Sequence, residues 1–252
     1  MRKYTLPTRK QCLNLLKEHH VPSHILKHSL AVTKLAVFLA ERLKEKGLPV
    51  DVNLIDRACL LHDIVRICDF KELDYSKFQQ NIAQESKAKW QQIKERFKGI
   101  SHEDAAYDLL KEKYPVLALA VKKHRYVAVL DEKEKPTTWE EKLVYYADKR
   151  VMHDRIVPLK ERLEEAHRRY AARRRAKSRT AVDTARVDSL IYKLEKEIFD
   201  KIGLDPLQVT AEFIRRTSGG FIDSYPSRRR KRINPLRQYS IRRIRTQHKG
   251  KV

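Results

Sequence analysis

The stretch CLLHDIVRICDF, Cys59 to Phe70, sets a histidine and an aspartate side by side, His62 and Asp63, in an otherwise nearly apolar run. A carboxylate and an imidazole buried together are costly unless something compensates the charge, and a bound metal ion is one of the few cations that fits. An internal His–Asp hydrogen bond in a satisfied core is the alternative. Arg66 follows His62 by four residues and Asp63 by three, so helical spacing places it over the same site, where its planar fork suits a phosphate. A plain salt bridge to Asp63 or Asp69 is the other role open to it. The second HD pair, His153-Asp154, stands among Met152 and Arg155 and reads as solvated.

Other ionisable residues recur inside apolar stripes, and the elements that carry them can be read locally. Thr8 caps a short helix running to about His19. Pro22-Ser23 opens a longer helix that stops at Gly47, on which Ile25, His28, Val32, Leu35 and Leu39 recur at steps of three and four. A third helix starts near Asp51 and runs into the HD pair. Ser101 and Asp104 are spaced like an acidic capping box, with His102 in the first turn that follows. Pro115 opens PVLALAVKKHRY, where His124 falls near the end; Thr138 and Glu141 repeat the capping spacing before WEEKLVYYADKRV, whose Leu143, Ala147 and Val151 form a stripe beside Asp148. A further helix begins near Pro158, and a last runs from about Ala185 to Ile202 before Gly203. The polar segment Lys71 to Gly99, with spaced aromatics, reads as short helices and loops. His19, His20, His24, His167 and His248 have no matched partners. The fold class is all-α, a helical bundle able to bring residues from five helices to one centre.

The order of a histidine, then HD, then an aspartate stands here in HSLAV (His28), LLHDIV (His62, Asp63) and YYADKRV (Asp148), and it resembles the HD superfamily of metal-dependent phosphohydrolases. SHEDAAYDLL (His102) and VKKHRY (His124) look like the extra pair of its binuclear, HDIG-type branches. The resemblance covers about residues 21–170. It implies one metal held by His28, His62, Asp63 and Asp148, and a second held by His102 and His124 with Asp63 bridging. It also implies an enzyme that cleaves a phosphoester or phosphoanhydride in a nucleotide by attack of a metal-bridging hydroxide, with Asp63 and Arg66 in catalytic roles; the branch includes dinucleoside-tetraphosphate hydrolases. Neutral imidazoles and hard carboxylates without thiolates suit Fe, Mn or Co, with Mg as a further candidate, rather than structural zinc. Lys149 and Arg150, following Asp148, read as solvated charges after a helix face, with the pocket rim as the other place open to them.

The chain has 252 residues and a formal net charge of +23, unevenly spread. From Ser218 onward eleven Lys or Arg face one acid, and from Ala166 to Asp188 eight face two; these stretches carry +10 and +6, leaving +7 for the rest. The division expected is an HD phosphohydrolase domain over 1–217, with a core at about 21–170 and accessory helices at about 180–217, then a basic, disordered tail over 218–252. The basic segments suit polyanions such as RNA, the ribosome or anionic lipid, and the run from Arg168 to Arg179 is otherwise a solvated helix face. Expected partners are therefore a phosphorylated small molecule, in particular a nucleotide, and nucleic acid through the tail. A nucleic-acid-associated binding protein built on an HD scaffold is the competing function. Cys12, Cys59 and Cys68 form no CxxC, the N-terminus lacks a signal-peptide core and no apolar run is long enough to span a bilayer, which points to a cytoplasmic protein.

Overall fold

Thr8 and Thr138 each close a full capping box, with Gln11 and Glu141 returning the bond to the cap backbone, and start the helices α1 (Arg9–Glu18) and α7 (Trp139–Asp148). Asp51 accepts from the Leu54 N–H at the head of α3 (Val52–Leu61), and Ser101 accepts from the Asp104 N–H at the head of α5 (His102–Leu110). Each such cap satisfies a backbone donor that the helix leaves open and is worth about 1 kcal/mol. The computed structural model describes residues 4–73, 75, 82–174 and 183–218. Within them lie six further helices: α2 (Ser23–Glu45), α4 (Gln84–Arg96), α6 (Pro115–Lys122), α8 (Leu159–Arg174), α9 (Thr184–Ile202) and α10 (Ala211–Thr217). Gly203 ends α9 in the left-handed region, at φ 69°, where a Cβ would be strained.

The axis of the bundle is α2. Its Val32, Leu35, Ala36, Leu39, Ala40 and Leu43 are wholly buried, and they meet α3, α7 and α9, while α10 packs over the same helix. The α5/α6 pair leans on α3 through α6, and α1 covers the outside of α3. The helical bundle expected from the periodicity is the fold.

Three local features differ from the sequence-based expectation. First, α3 stops at Leu61, so His62 and Asp63 sit in a turn over residues 62–65 that leads into a 3-10 turn, Arg66–Asp69. Arg66 reaches the site from the tightened turn that follows, not because an α-helix continues. Second, the segment read as short helices and loops holds the thirteen-residue α4, anchored by buried Trp90 and Ile93. Third, an antiparallel hairpin pairs β1 (Val151–Met152) with β2 (Arg155–Ile156), Val151 opposite Ile156. Two-residue strands leave no detectable period. The expected tail, from residue 219 on, and residues 175–182 of the basic run lie outside the described residues. No helix among the described residues is long and apolar enough to cross a membrane.

Candidate metal centre

Four of the six side chains singled out lie at helix ends. His62 follows α3, His102 is the first residue of α5, His124 lies two residues past α6 and Asp148 is the last of α7. Helix C-termini leave carbonyls without intrahelical partners, and the imidazoles use them. The His62 Nδ1–H donates to the Cys59 carbonyl at 2.7 Å, and the His124 Nδ1–H donates to the Val121 carbonyl at 2.5 Å. His28, in the second turn of α2, donates its Nδ1–H to the carbonyl of His153, 2.7 Å away in the β1–β2 turn. His102 does the equivalent with a carboxylate: its Nδ1 lies 2.7 Å from Asp69 Oδ2, and its backbone N–H donates to Asp69 Oδ1 at 3.1 Å.

With every Nδ1 so engaged, each ring in its neutral form presents Nε2 as a lone pair, which is the tautomer a metal ligand needs. The four Nε2 atoms converge on two carboxylates. His28 Nε2 is 2.9 Å from Asp148 Oδ1, and His102 Nε2 is 3.2 Å from Asp63 Oδ1 and 3.1 Å from His124 Nε2. His62 Nε2 stands 3.6 Å from Asp63 Oδ2 and 3.7 Å from Asp148 Oδ1, too far to bond to either. His62 is wholly buried, and its Nε2 is a buried polar atom without a hydrogen-bond partner among the described residues. Lone pairs facing lone pairs are unfavourable, and a buried orphan acceptor costs about 1–3 kcal/mol. A divalent cation resolves both conflicts. Two triads have donor atoms lying within 4.8 Å of one another, His28–His62–Asp63 and Asp63–His102–His124, and they share Asp63. The donor set therefore fits one or two divalent ions.

The charges respond to this crowding. Burial alone would raise the carboxyl of Asp63, yet His62, Arg66 and His102 outweigh it and hold the group well below the ordinary carboxylate range. For Asp148, burial is likewise overcome, by Lys149, His28 and His62. Burial alone would lower His62 and His102; the carboxylates of Asp63 and Asp148 raise His62, and those of Asp63 and Asp69 raise His102. Burial and the neighbouring imidazoles push His124 far below the usual imidazole range, so it is neutral. The raised His62 and His102 hold a proton more readily in the metal-free protein than a free imidazole does, and metal binding would displace it.

The candidate ligands, all but the wholly buried His62, line a cavity of about 440 Å³. Phe70, Val151, Met152 and Leu163 supply apolar wall, and Arg66, Lys149, Arg162 and Arg169 supply cations. Arg66 lies against the His102 ring and pairs with Asp69 at 3.3 Å, so the salt bridge weighed from the sequence is formed while the side chain still lines the cavity. Lys149 donates to Asp148 Oδ2 at 2.6 Å and to the His124 carbonyl at 2.7 Å. Arg150 is neither at the rim nor solvated. It points away from the cavity into the protein, 2% exposed, bonded to the Val157, Pro206 and Val209 carbonyls, the Tyr146 hydroxyl and Glu195. Two supporting roles were missed in the sequence. Asp69, named from the sequence only as an ion-pair partner for Arg66, gives no sign of its hold on His102, and His153 serves through a backbone carbonyl that no side-chain motif encodes.

A tRNA (cytidine(56)-2'-O)-methyltransferase of Picrophilus torridus is 31% identical over 160 residues, covering 64% of this chain and 41% of that protein. The chain thus spans less than half the length of that relative. No solved structure matches the chain significantly. The HD domain model matches residues 25–152, which takes in His28, the HD pair, both intervening histidines and Asp148, and the chain belongs to the HD domain family.

Proposed function

We propose that this chain is a metal-dependent phosphohydrolase acting on a phosphoester or phosphoanhydride of a nucleotide. The observation that carries the reading is the set of Nε2 lone pairs, with the orphaned His62 Nε2 at its centre, aimed at two carboxylates in a cavity edged by cations. His28, His62, Asp63 and Asp148 would hold one ion, and His102 and His124 would hold a second with Asp63 shared. The ligand chemistry suits Fe, Mn or Co, with Mg possible. Such ions, when bound, supply Lewis acidity and a water that ionises near neutral pH.

The remaining work falls to the chain's own side chains. Asp69 and the Cys59, Val121 and His153 carbonyls keep the four imidazoles in the ligating tautomer. Lys149 fixes and neutralises Asp148. Arg66 offers a guanidinium to the oxygens of a phosphoryl group, where its fork can bind two at once. The apolar wall limits water around the reacting phosphorus and strengthens each of these charge interactions. A cavity of about 440 Å³ is of the size that holds a small ligand.

A second reading, a nucleic-acid-binding protein on an HD scaffold, draws on the basic segments and on the tRNA named for the relative. One experiment separates the two: elemental analysis of the purified protein, with phosphate release measured across a nucleotide panel and with Asp63→Ala as control. The hydrolase reading expects close to two transition-metal ions per chain and turnover lost in the variant. Metal-free protein that gains no turnover when Mn²⁺ is supplied overturns it.

A further inference from the structure

We infer that the cavity receives the phosphorylated end of a nucleic-acid strand and that α8 conducts the strand's backbone to it. This deepens the phosphohydrolase reading and rests on it. One wall of the cavity is α8 itself, through Arg162, Leu163, Glu165, Ala166 and Arg169. The first half of the helix is tied down. Leu159 and Leu163 are buried in the core, and the Arg162 Nε–H donates to the Val151 carbonyl at 2.9 Å. His167 meets Asp188 of α9 at 2.7 Å, where the Tyr126 hydroxyl also donates. Beyond His167 the helix continues to Arg174, and Arg168, Arg169 and Ala171 are exposed.

The charge pattern changes where the wall leaves the cavity. Up to Glu165 the helix mixes signs and pairs them, Lys160 with Glu164 and Arg162 with Glu165, and Glu165 also reaches forward to Arg169 at 3.7 Å. After Glu165 no acid occurs before Asp183, and the run from Arg168 to Arg179 holds seven Lys or Arg. Like charges at helical spacing repel and weaken a helix, so an unmixed run suits an external polyanion better than it suits solvent. Steps of four, three and four put positions 162, 166, 169 and 173 on one face of α8, three of them arginine. From Arg162 to Arg174 the helix rises ~18 Å, the span of about five phosphates of one strand at 3.4 Å each.

A nucleic acid matches this arrangement because its repeating anions run along a line and end in a phosphate ester, the group the cavity is built to meet. A lipid surface matches less well: none of the described side chains of α8 is an exposed large apolar anchor.

The test uses the full, Mn²⁺-loaded chain and terminally phosphorylated RNA and DNA of increasing length, with the mononucleotide as reference. If three or four phosphates are contacted, the salt slope is about −2 to −3, so kcat/KM for the longer strands falls roughly twentyfold to fiftyfold between ~50 and ~200 mM salt. The mononucleotide value should change far less. The double variant Arg173→Glu/Arg174→Glu should erase most of the length-dependent gain, read as the ratio of oligonucleotide to mononucleotide turnover in one preparation. Fluorescence anisotropy of a labelled oligonucleotide in chelator should show the same loss of binding. Equal kcat/KM at every length, or a ratio untouched by the charge reversal, overturns the inference while leaving the hydrolase reading intact. Tight, salt-sensitive binding with no turnover of any substrate overturns both. The RNA and DNA arms decide which strand is preferred.

Discussion

Replacing Arg150 with methionine tests the internal support of the site most directly. The side chain is 2% exposed and donates to the Val157 carbonyl at 2.6 Å, the Tyr146 hydroxyl at 2.5 Å and the Pro206 carbonyl at 3.1 Å, with Glu195 at 3.3 Å. Methionine keeps much of the volume but strands the carbonyls and leaves Glu195 without its charge partner, holding only the bond from the Tyr146 hydroxyl. Removing one partner of a buried ion pair costs about 3–5 kcal/mol. Since the Glu195 side chain retains 14% exposure, water can partly replace the lost donor, and the lower end is expected. At roughly 2–4 °C per kcal/mol for a chain of this size, Tm should drop by about 6–12 °C. The measurement is thermal unfolding by circular dichroism in chelator, so that metal linkage adds nothing. Glu195→Gln, which keeps the shape and loses the charge, should cost less, on the order of 1.5–3 kcal/mol. There is a second consequence. Arg150 Nε–H holds the Val157 carbonyl just beyond β2, and the β1–β2 turn presents the carbonyl that His28 uses. Arg150→Met should therefore also weaken Mn²⁺ binding by about tenfold, the low end for loss of a ligand-orienting contact. A Tm within about 3 °C of the parent would refute the structural account, and an unchanged Mn²⁺ affinity would refute the link to His28.

Asp63→Ala should abolish binding of both ions, since both triads use that carboxylate, and plasma emission analysis should find under half an ion per chain. Asp69→Asn should lower affinity for one ion by roughly 10–100-fold through His102 and spare the other, giving a split two-step Mn²⁺ titration where the parent's steps lie close together. The pH response should invert with metal. In chelator, the raised His62 and His102 contribute stability that is fully present below their ordinary value of 6.5 and lost as pH rises through their higher folded values, so Tm falls above pH 6.5. The lowered Asp63 and Asp148 contribute stability above 3.8 that is lost only in acid, so they do not oppose this trend. With Mn²⁺ present, the ion displaces protons from those imidazoles and Tm should instead rise over the same interval. Parallel curves with and without metal in differential scanning fluorimetry would contradict the assignment.

Much of this fold is written in short-range chemistry. Thr8, Thr138, Ser101 and Asp51 announce their helices because a cap acts within one turn, and Gly203 ends α9 because its φ of 69° is costly for any residue with a Cβ. The stripe through Val32, Leu35 and Leu39 identifies the buried face of α2 by period alone. The order His28, His62-Asp63, His102, His124, Asp148 likewise needs only the chain to be read. What no local rule could supply is how those residues are held. The acceptor for the His28 Nδ1–H is a backbone carbonyl 125 positions away, in the turn of a hairpin too short to leave a period. Asp69 becomes a partner of His102 only because α3 ends at Leu61 and a 3-10 turn, Arg66–Asp69, carries the chain to the head of α5. Arg150 turns inward because the accessory helix α9 brings Glu195 to it, and a buried guanidinium follows the carboxylate that can pair with it. Propensities and caps act over a few residues, so the sequence alone determined most of the helices, though not α4 or the end of α3, and named the candidate ligands. Their tautomers, orientations and shared cavity depend on contacts between residues far apart in the chain, and only the packed tertiary structure decided those.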